Sequence, residues 1–214
     1  MPEPILCKIC GRRRPKRACP AVYGDICALC CGNERENTLT CPLECAYLQE
    51  AHRHEKPLDI PERDLANTDI PVSESFVTEH EELVLFCVYA LLQAALRTAG
   101  AVDTDLLAAL EALVKTHRTL ESGLMYETIS ENAIAAAIQR SFSASLDDYQ
   151  KLREEREALS PVRNSDVLKT LAFLHRVGQQ NQNGRPRGRL FIDLLHHMTP
   201  DKPVDERAPS IILT

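Results

Sequence analysis

The chain is 214 residues long, 44% hydrophobic and 26% charged, a composition of one domain or two small ones rather than of a disordered chain. A net charge of −6 excludes a uniformly basic nucleic-acid binder, and no apolar run approaches the ~18 residues of a membrane helix. Scarce glycine (8), no tryptophan and only 5% aromatics argue against an all-β domain, and the expected class is mainly α.

The nine cysteines are crowded: eight precede residue 46. They read Cys7-Lys-Ile-Cys10-Gly11, Cys19, Cys27-Ala-Leu-Cys30-Cys31-Gly32 and Cys41-Pro-Leu-Glu-Cys45. A C-x2-C unit with glycine close behind therefore recurs after twenty residues. Two intervening residues let both thiolates face one ion at ~2.3 Å, and the glycine permits the tight turn that follows. A disulfide framework would need an oxidising compartment, whereas Met1-Pro-Glu-Pro-Ile-Leu runs straight into cysteines and arginines with no apolar signal region. The reading is a cytoplasmic protein with a metal-binding head at residues 1–56. Large apolar side chains are sparse there, and ~50 residues with so small a core are marginal on burial alone. Structural zinc supplies ~10–16 kcal/mol, so metal is expected to replace the core.

Eight thiolates suit two zinc ions of four ligands each. Cys7 and Cys10 pair with Cys27 and Cys30, leaving Cys19, Cys31, Cys41 and Cys45 for the second ion. In a crossed pairing, Cys7 and Cys10 join Cys41 and Cys45 instead. Cys41-Pro42 is expected to open a helix running through Ala46 to His54, with proline in its first turn. His52 and His54 at its end are substitute ligands, although a solvent-facing His52 is the preferred reading. An iron–sulfur cluster also takes four thiolates and is the alternative cofactor, without a ferredoxin-like spacing to favour it.

Cys41-x3-Cys45 followed by His52, with Cys7-x2-Cys10 at the start, resembles HIT-type and MYND-type cross-brace zinc fingers over residues 1–54. The resemblance implies a treble-clef or ribbon-like fold used for protein–protein contact and in some members for nucleic acid. The chain departs from that pattern in the seven residues between Cys19 and Cys27 and in offering His54 where a final cysteine belongs.

Charge is asymmetric: residues 1–56 carry nine Lys/Arg against seven acids, whereas the remainder carries 16 against 24. Arg12, Arg13, Arg14, Lys16 and Arg17 concentrate five cations in six positions of a loop between metal ligands. They suit a phosphate backbone, an acidic protein surface, or compensation of a four-thiolate zinc site of formal charge −2. No aromatic interleaves with them for base stacking.

Residues 57–73, with Pro57, Pro61 and Pro71, read as a linker. An antiparallel up-down helical bundle is expected over 74–180. Its first helix is capped by Ser73 and runs to about Thr98, with Leu83, Phe86, Cys87, Ala90, Leu91 and Ala94 inward. Gly100 ends it, and Asp103 caps a second helix that buries Leu106, Leu110, Leu113 and Val114. Ser130 or Asn132 opens the longest, whose stripe is Ile134, Ile138, Phe142, Leu146, Tyr149 and Leu152; it stops at Ser160-Pro161. Ser165 starts the fourth, which Gly178 ends. Residues 181–214 comprise a basic loop (Arg185, Arg187, Arg189), a short amphipathic helix over Leu190–Met198, and a proline-marked tail ending in Ile211-Ile-Leu-Thr214. His80, His117 and His175 have no evident partner.

There is no phosphate loop, dinucleotide fingerprint, His-Glu-x-x-His pair or nucleophile elbow. Asp193, His196 and His197 lack a third placed group for catalysis. The expectation is a non-enzymatic adaptor or regulator whose zinc head meets a protein partner and whose bundle offers a second surface or a homodimer interface. The alternatives are an RNA- or DNA-binding protein using the Arg12–Arg17 loop and an iron–sulfur redox protein.

Overall fold

The computed structural model describes residues 5–155 and 162–199. Among them, helices dominate, and the only sheet is a small antiparallel pair near the amino end. Its strands, β1 (Arg17–Cys19) and β2 (Gly24–Ile26), pair Arg17 with Ile26 and Cys19 with Gly24. A 3-10 turn at Pro20–Val22 joins them, and Tyr23 closes the hairpin in the left-handed region (φ 49°). Helix α1 (Ala28–Glu34) follows at once, and α2 (Ala46–His54) completes the head. Helix α2 begins after Cys45 rather than at Pro42, because the Cys45 N–H closes a turn onto the Pro42 carbonyl (3.0 Å).

The anticipated first bundle helix is two helices. Ser73 caps α3 (Glu74–Glu79), its Oγ accepting from the Phe76 N–H at 3.1 Å, and His80 separates it from α4 (Glu81–Arg97). The others are α5 (Asp103–Glu121), α6 (Ala133–Glu155), α7 (Asn164–Gln180) and α8 (Leu190–Met198). Asn132 opens α6, its Oδ1 accepting from Ile134 (2.9 Å) and Ala135 (3.2 Å). The expected stop at Ser160-Pro161 and the tail beyond residue 199 lie outside the described residues.

Packing follows the apolar stripes but not simple succession. Helices α4 and α5 each pack on both α6 and α7, while the five-residue connection between α4 and α5 does not make them principal neighbours. Instead α8 contacts both. Asp103 is the reason. It was expected to cap its own helix, but its carboxylate accepts from the N–H groups of Phe191 (3.0 Å) and Ile192 (3.1 Å), capping α8 across 88 residues of sequence. The start of α5 is served by Asp105, whose Oδ2 accepts from the Val102 N–H at 3.1 Å. The shared core includes Leu91, Leu106, Leu110, Ile138, Phe142, Leu171, Leu174 and Phe191. Leu152, placed on the stripe by its spacing, is exposed.

Gly178 does not end α7. It is a notch: a β-carbon there would stand 2.8 Å from Leu107 Cδ2 and from Phe191 Cδ1, so glycine is what lets α8 approach. The proline-marked stretch after the head is a strap held along α7. Leu58 N–H donates to the Gln182 carbonyl (2.9 Å), Ala66 N–H to Gln179 Oε1 (2.8 Å), and Arg176 donates to the carbonyls of Asn67 and Ile70. Leu65 and Ile70 are buried. The helical histidines also gain partners: His117 meets Asn164 (2.6 Å), His175 meets Asn67 (3.0 Å), and His80 Nδ1 donates to the Phe76 carbonyl (3.0 Å). Cys87 is fully buried, and burial pushes its thiol well above the ordinary range, as suits an inert core residue.

Candidate metal centre

Cys7, Cys10, Cys27 and Cys30 converge so that their sulfurs all lie within 4.8 Å of one another. Each knuckle is built locally. The Gly11 N–H returns to the Cys7 carbonyl (2.8 Å) with Gly11 at φ 60°, the left-handed conformation this turn needs. In the second knuckle, Cys27 is the N-cap of α1, its Sγ accepting from the Cys30 N–H at 3.4 Å. The Cys7 N–H closes the first knuckle onto the Arg13 carbonyl (2.8 Å), and the two knuckles are joined by backbone bonds from Lys8 to Asp25 (3.0 Å) and Lys16 to Ile26 (2.9 Å).

The electrostatics favour the thiolate at Cys7 and Cys10 and oppose it at Cys30. Burial opposes ionisation of Cys7, but the N–H groups of Cys10, Cys27 and Ile9 outweigh it and bring the thiol down to about 6; the Cys27 N–H lies 3.2 Å from its sulfur. Cys10 is lowered by the N–H groups of Arg12 and Arg13. Cys30 is pushed up to about 12, first by its hydrogen bond with the Cys27 sulfur, then by burial and by Cys10 and Cys7. Mutual repulsion among crowded sulfurs accounts for that opposition. A tetrahedral ion with ~2.3 Å bonds needs sulfurs about 3.8 Å apart, so the donors present fit a four-thiolate centre. All nine cysteines are free thiols.

Cys19, Cys31, Cys41 and Cys45 form no such compact group among the described residues. Cys31 is buried beside the first four, with Cys19 packed against them. Cys41 belongs to the bundle core, with Cys45 at its edge. Burial raises Cys41, and so do the neighbouring Cys45, Glu36 and Cys19. The crossed pairing of Cys7 and Cys10 with Cys41 and Cys45 is not what the structure brings together.

His52 is not solvent-facing. It is 9% exposed, with Nδ1 2.8 Å from Asp193 Oδ2 and Nε2 3.1 Å from Glu36 Oε1. Both ring nitrogens are thus engaged by carboxylates, which leaves neither for a metal. Burial alone would lower its pKa, but Asp193 and Glu36 hold the imidazolium up to about 9. His54 does face solvent and contacts Glu50 at 3.1 Å.

Glu36 is the residue that spacing and periodicity passed over. It is 0% exposed and sits at φ 55°. Its carboxylate accepts from His52, from Asn183 Nδ2 (2.8 Å) and from the Arg189 N–H (2.7 Å), and its carbonyl accepts from the Arg187 N–H (2.8 Å). The 185–189 loop is thereby clasped to the head. Arg185 donates to Glu55 (3.0 Å) and to the Arg35 carbonyl (3.0 Å), and Arg187 donates to the Thr40 hydroxyl. These cations serve the protein's own interior contacts. The only sequence signal for this junction is Asp193, a lone acid in the apolar run Leu190-Phe-Ile-Asp-Leu-Leu.

The basic loop divides by role. The sulfurs of Cys27, Cys10 and Cys30 near Arg13 favour its charged form. Arg17 lies over the Tyr47 ring, 4.6 Å from its centroid. Arg12, Arg14 and Lys16 project into solvent.

Compared with known proteins, the chain matches no protein-family model, no curated protein and no solved structure. The fold and site define a mainly helical protein with a four-cysteine cluster compatible with a zinc-finger-like module. No described helix is long and apolar enough to cross a membrane.

Proposed function

We propose that the protein is a non-enzymatic, zinc-binding adaptor whose head recognises an acidic protein partner. Zinc occupies the Cys7, Cys10, Cys27, Cys30 site; four sulfurs within 4.8 Å suit a single ion better than a larger iron–sulfur cluster. A second zinc draws Cys19, Cys31, Cys41 and Cys45 inward, in keeping with the likeness of residues 1–54 to HIT- and MYND-type fingers.

The observation that carries the recognition role is the outer surface of the head. Arg12, Arg14 and Lys16 are exposed, and so are Ile5, Leu6, Ile9, Tyr23 and Leu29 of the same cysteine-rich head. A head that exposes both apolar side chains and cations can bury apolar area against a partner and meet its carboxylates. Tyr23 is 92% exposed at the tip of a hairpin that holds it in the left-handed region, so it has no packing role within the chain. The exposed Tyr23 and the Arg17–Tyr47 stack also favour a second reading, single-stranded nucleic acid, by offering the stacking platform that the local sequence lacks.

Affinity capture with full-length protein and with an Arg12→Ala, Arg14→Ala, Tyr23→Ala variant tests this role. The adaptor reading expects a partner retained by the wild type, resistant to nuclease and lost with the variant. Undiminished capture by the variant contradicts it, and capture abolished by nuclease transfers the role to nucleic acid.

A further inference from the structure

We propose that Asp193, His196 and His197 form a separate nitrogen- and oxygen-lined site for a borderline divalent cation such as Zn2+, Ni2+ or Co2+. One ligand atom from each lies within 4.8 Å of the other two, outside the cysteine cluster. The three occupy positions i, i+3 and i+4 of α8, which places them on one helical face. Two imidazoles and one carboxylate are a donor set that such ions accept, with water filling the remaining positions.

The carboxylate is positioned before any ion arrives. Asp193 is buried, and His52 holds its Oδ2 at 2.8 Å, while Oδ1 remains on the side of His197 at 3.6 Å from Nδ1. Glu36 in turn fixes the far nitrogen of His52, giving the carboxylate a relay of supporting bonds such as metal-ligating groups commonly have. His197 is oriented by its own helix, its Nδ1 donating to the Asp193 carbonyl (2.8 Å), which leaves Nε2 as its ligating nitrogen. His196 and His197 are exposed and fall in the last turn of α8, where the helix dipole favours a cation. Asp193 and His197 line a cleft of about 340 Å³ between α2 and α8, bounded also by Gln49, Glu55 and Asn181, with room for coordinated water or a small anionic ligand. Arg53 borders it too, but its guanidinium is paired with Glu50 at 3.1 Å.

The test uses full-length protein from which weakly held metal has been dialysed away, so that zinc fills only the thiolates, titrated calorimetrically with Ni2+. The expected result is one Ni2+ bound in excess of the zinc. A His196→Ala, His197→Ala variant should bind it at least about tenfold more weakly, with zinc content and unfolding midpoint unchanged because both rings are on the surface. His54→Ala, which removes an exposed histidine outside the site, should bind as the wild type does. Co2+ should give a spectrum without a thiolate-to-cobalt charge-transfer band. No Ni2+ binding by the wild type, equal binding by the double variant, an equal loss in His54→Ala, or appearance of the thiolate band would overturn the site. None of these outcomes bears on partner capture by the head, so the two proposals fail separately.

Discussion

Residues 7–31 and the bundle of α4–α8 are held together by different physics. The sealed interior of the first consists of Cys7, Ile26, Cys27, Cys30 and Cys31, with one aliphatic side chain among five. The interior of the second is a continuous apolar core drawn mainly from those five helices. A segment of that size with one buried isoleucine has almost no hydrophobic driving force, so on the proposed zinc site its order comes from coordination. The packing boundary also differs from the cysteine boundary. Cys41, Leu43 and Leu48, within the cysteine-rich head by sequence, are buried with the bundle. A chain can therefore change its means of stabilisation partway through what its spacing marks as one module.

The sharpest way to separate the two regions is to remove a ligand. Cys27→Ala takes one thiolate and the N-cap of α1 together, and should unfold residues 7–31 outright by forfeiting a zinc affinity of ~10–16 kcal/mol, while α4–α8 persist. Limited proteolysis should then cut within the Arg12–Arg17 loop and spare the bundle. Next in size is the junction between them. Glu36→Ala leaves buried His52 and Asp193 without their third member and should cost about 3–5 kcal/mol in denaturant unfolding. If it costs no more than a surface substitution, the clasp does not join head to bundle.

Within the bundle, Gly178→Ala drives a methyl into Leu107 and Phe191 and should cost about 1–3 kcal/mol of thermal stability without changing zinc content. The smallest effect is a pH dependence. Despite the opposing effect of burial, His52 is raised to about 9 by Asp193 and Glu36, above the 6.5 of a free imidazole. The folded state binds the proton more tightly, so its contribution is complete below pH 6.5 and is lost as pH rises through 9. Unfolding measured across that window should show stability falling in the wild type, with the slope reduced in His52→Gln.

What sequence reading reached, and what it did not, follows from the range of the interactions. The C-x2-C knuckles and the α8 limits depend on residues a few positions apart and are where spacing places them, and of the two candidates Ser130 and Asn132 it is Asn132 that caps α6. Cys7 and Cys10 could not be assigned to Cys27 and Cys30 rather than Cys41 and Cys45, because the choice is made by the β1–β2 hairpin and its backbone bonds to Lys8 and Lys16. His52 reads as exposed from α2 alone, since the acids that bury it lie 16 and 141 residues away. Asp103 looks like a local cap because the α8 amides it serves are 88 residues distant. Gly178 looks like a helix end until the Phe191 ring that fills its notch is in place.

Amide hydrogen exchange before and after exhaustive removal of metal by a strong chelator tests the central claim most directly. The backbone N–H groups of Cys7, Lys8, Gly11 and Lys16, hydrogen-bonded within the head, should lose protection together on chelation. Those of α4 and α5 should keep theirs. Protection of residues 7–31 that is unchanged in verified metal-free protein would contradict the account, because one buried isoleucine could not then be what coordination supplements.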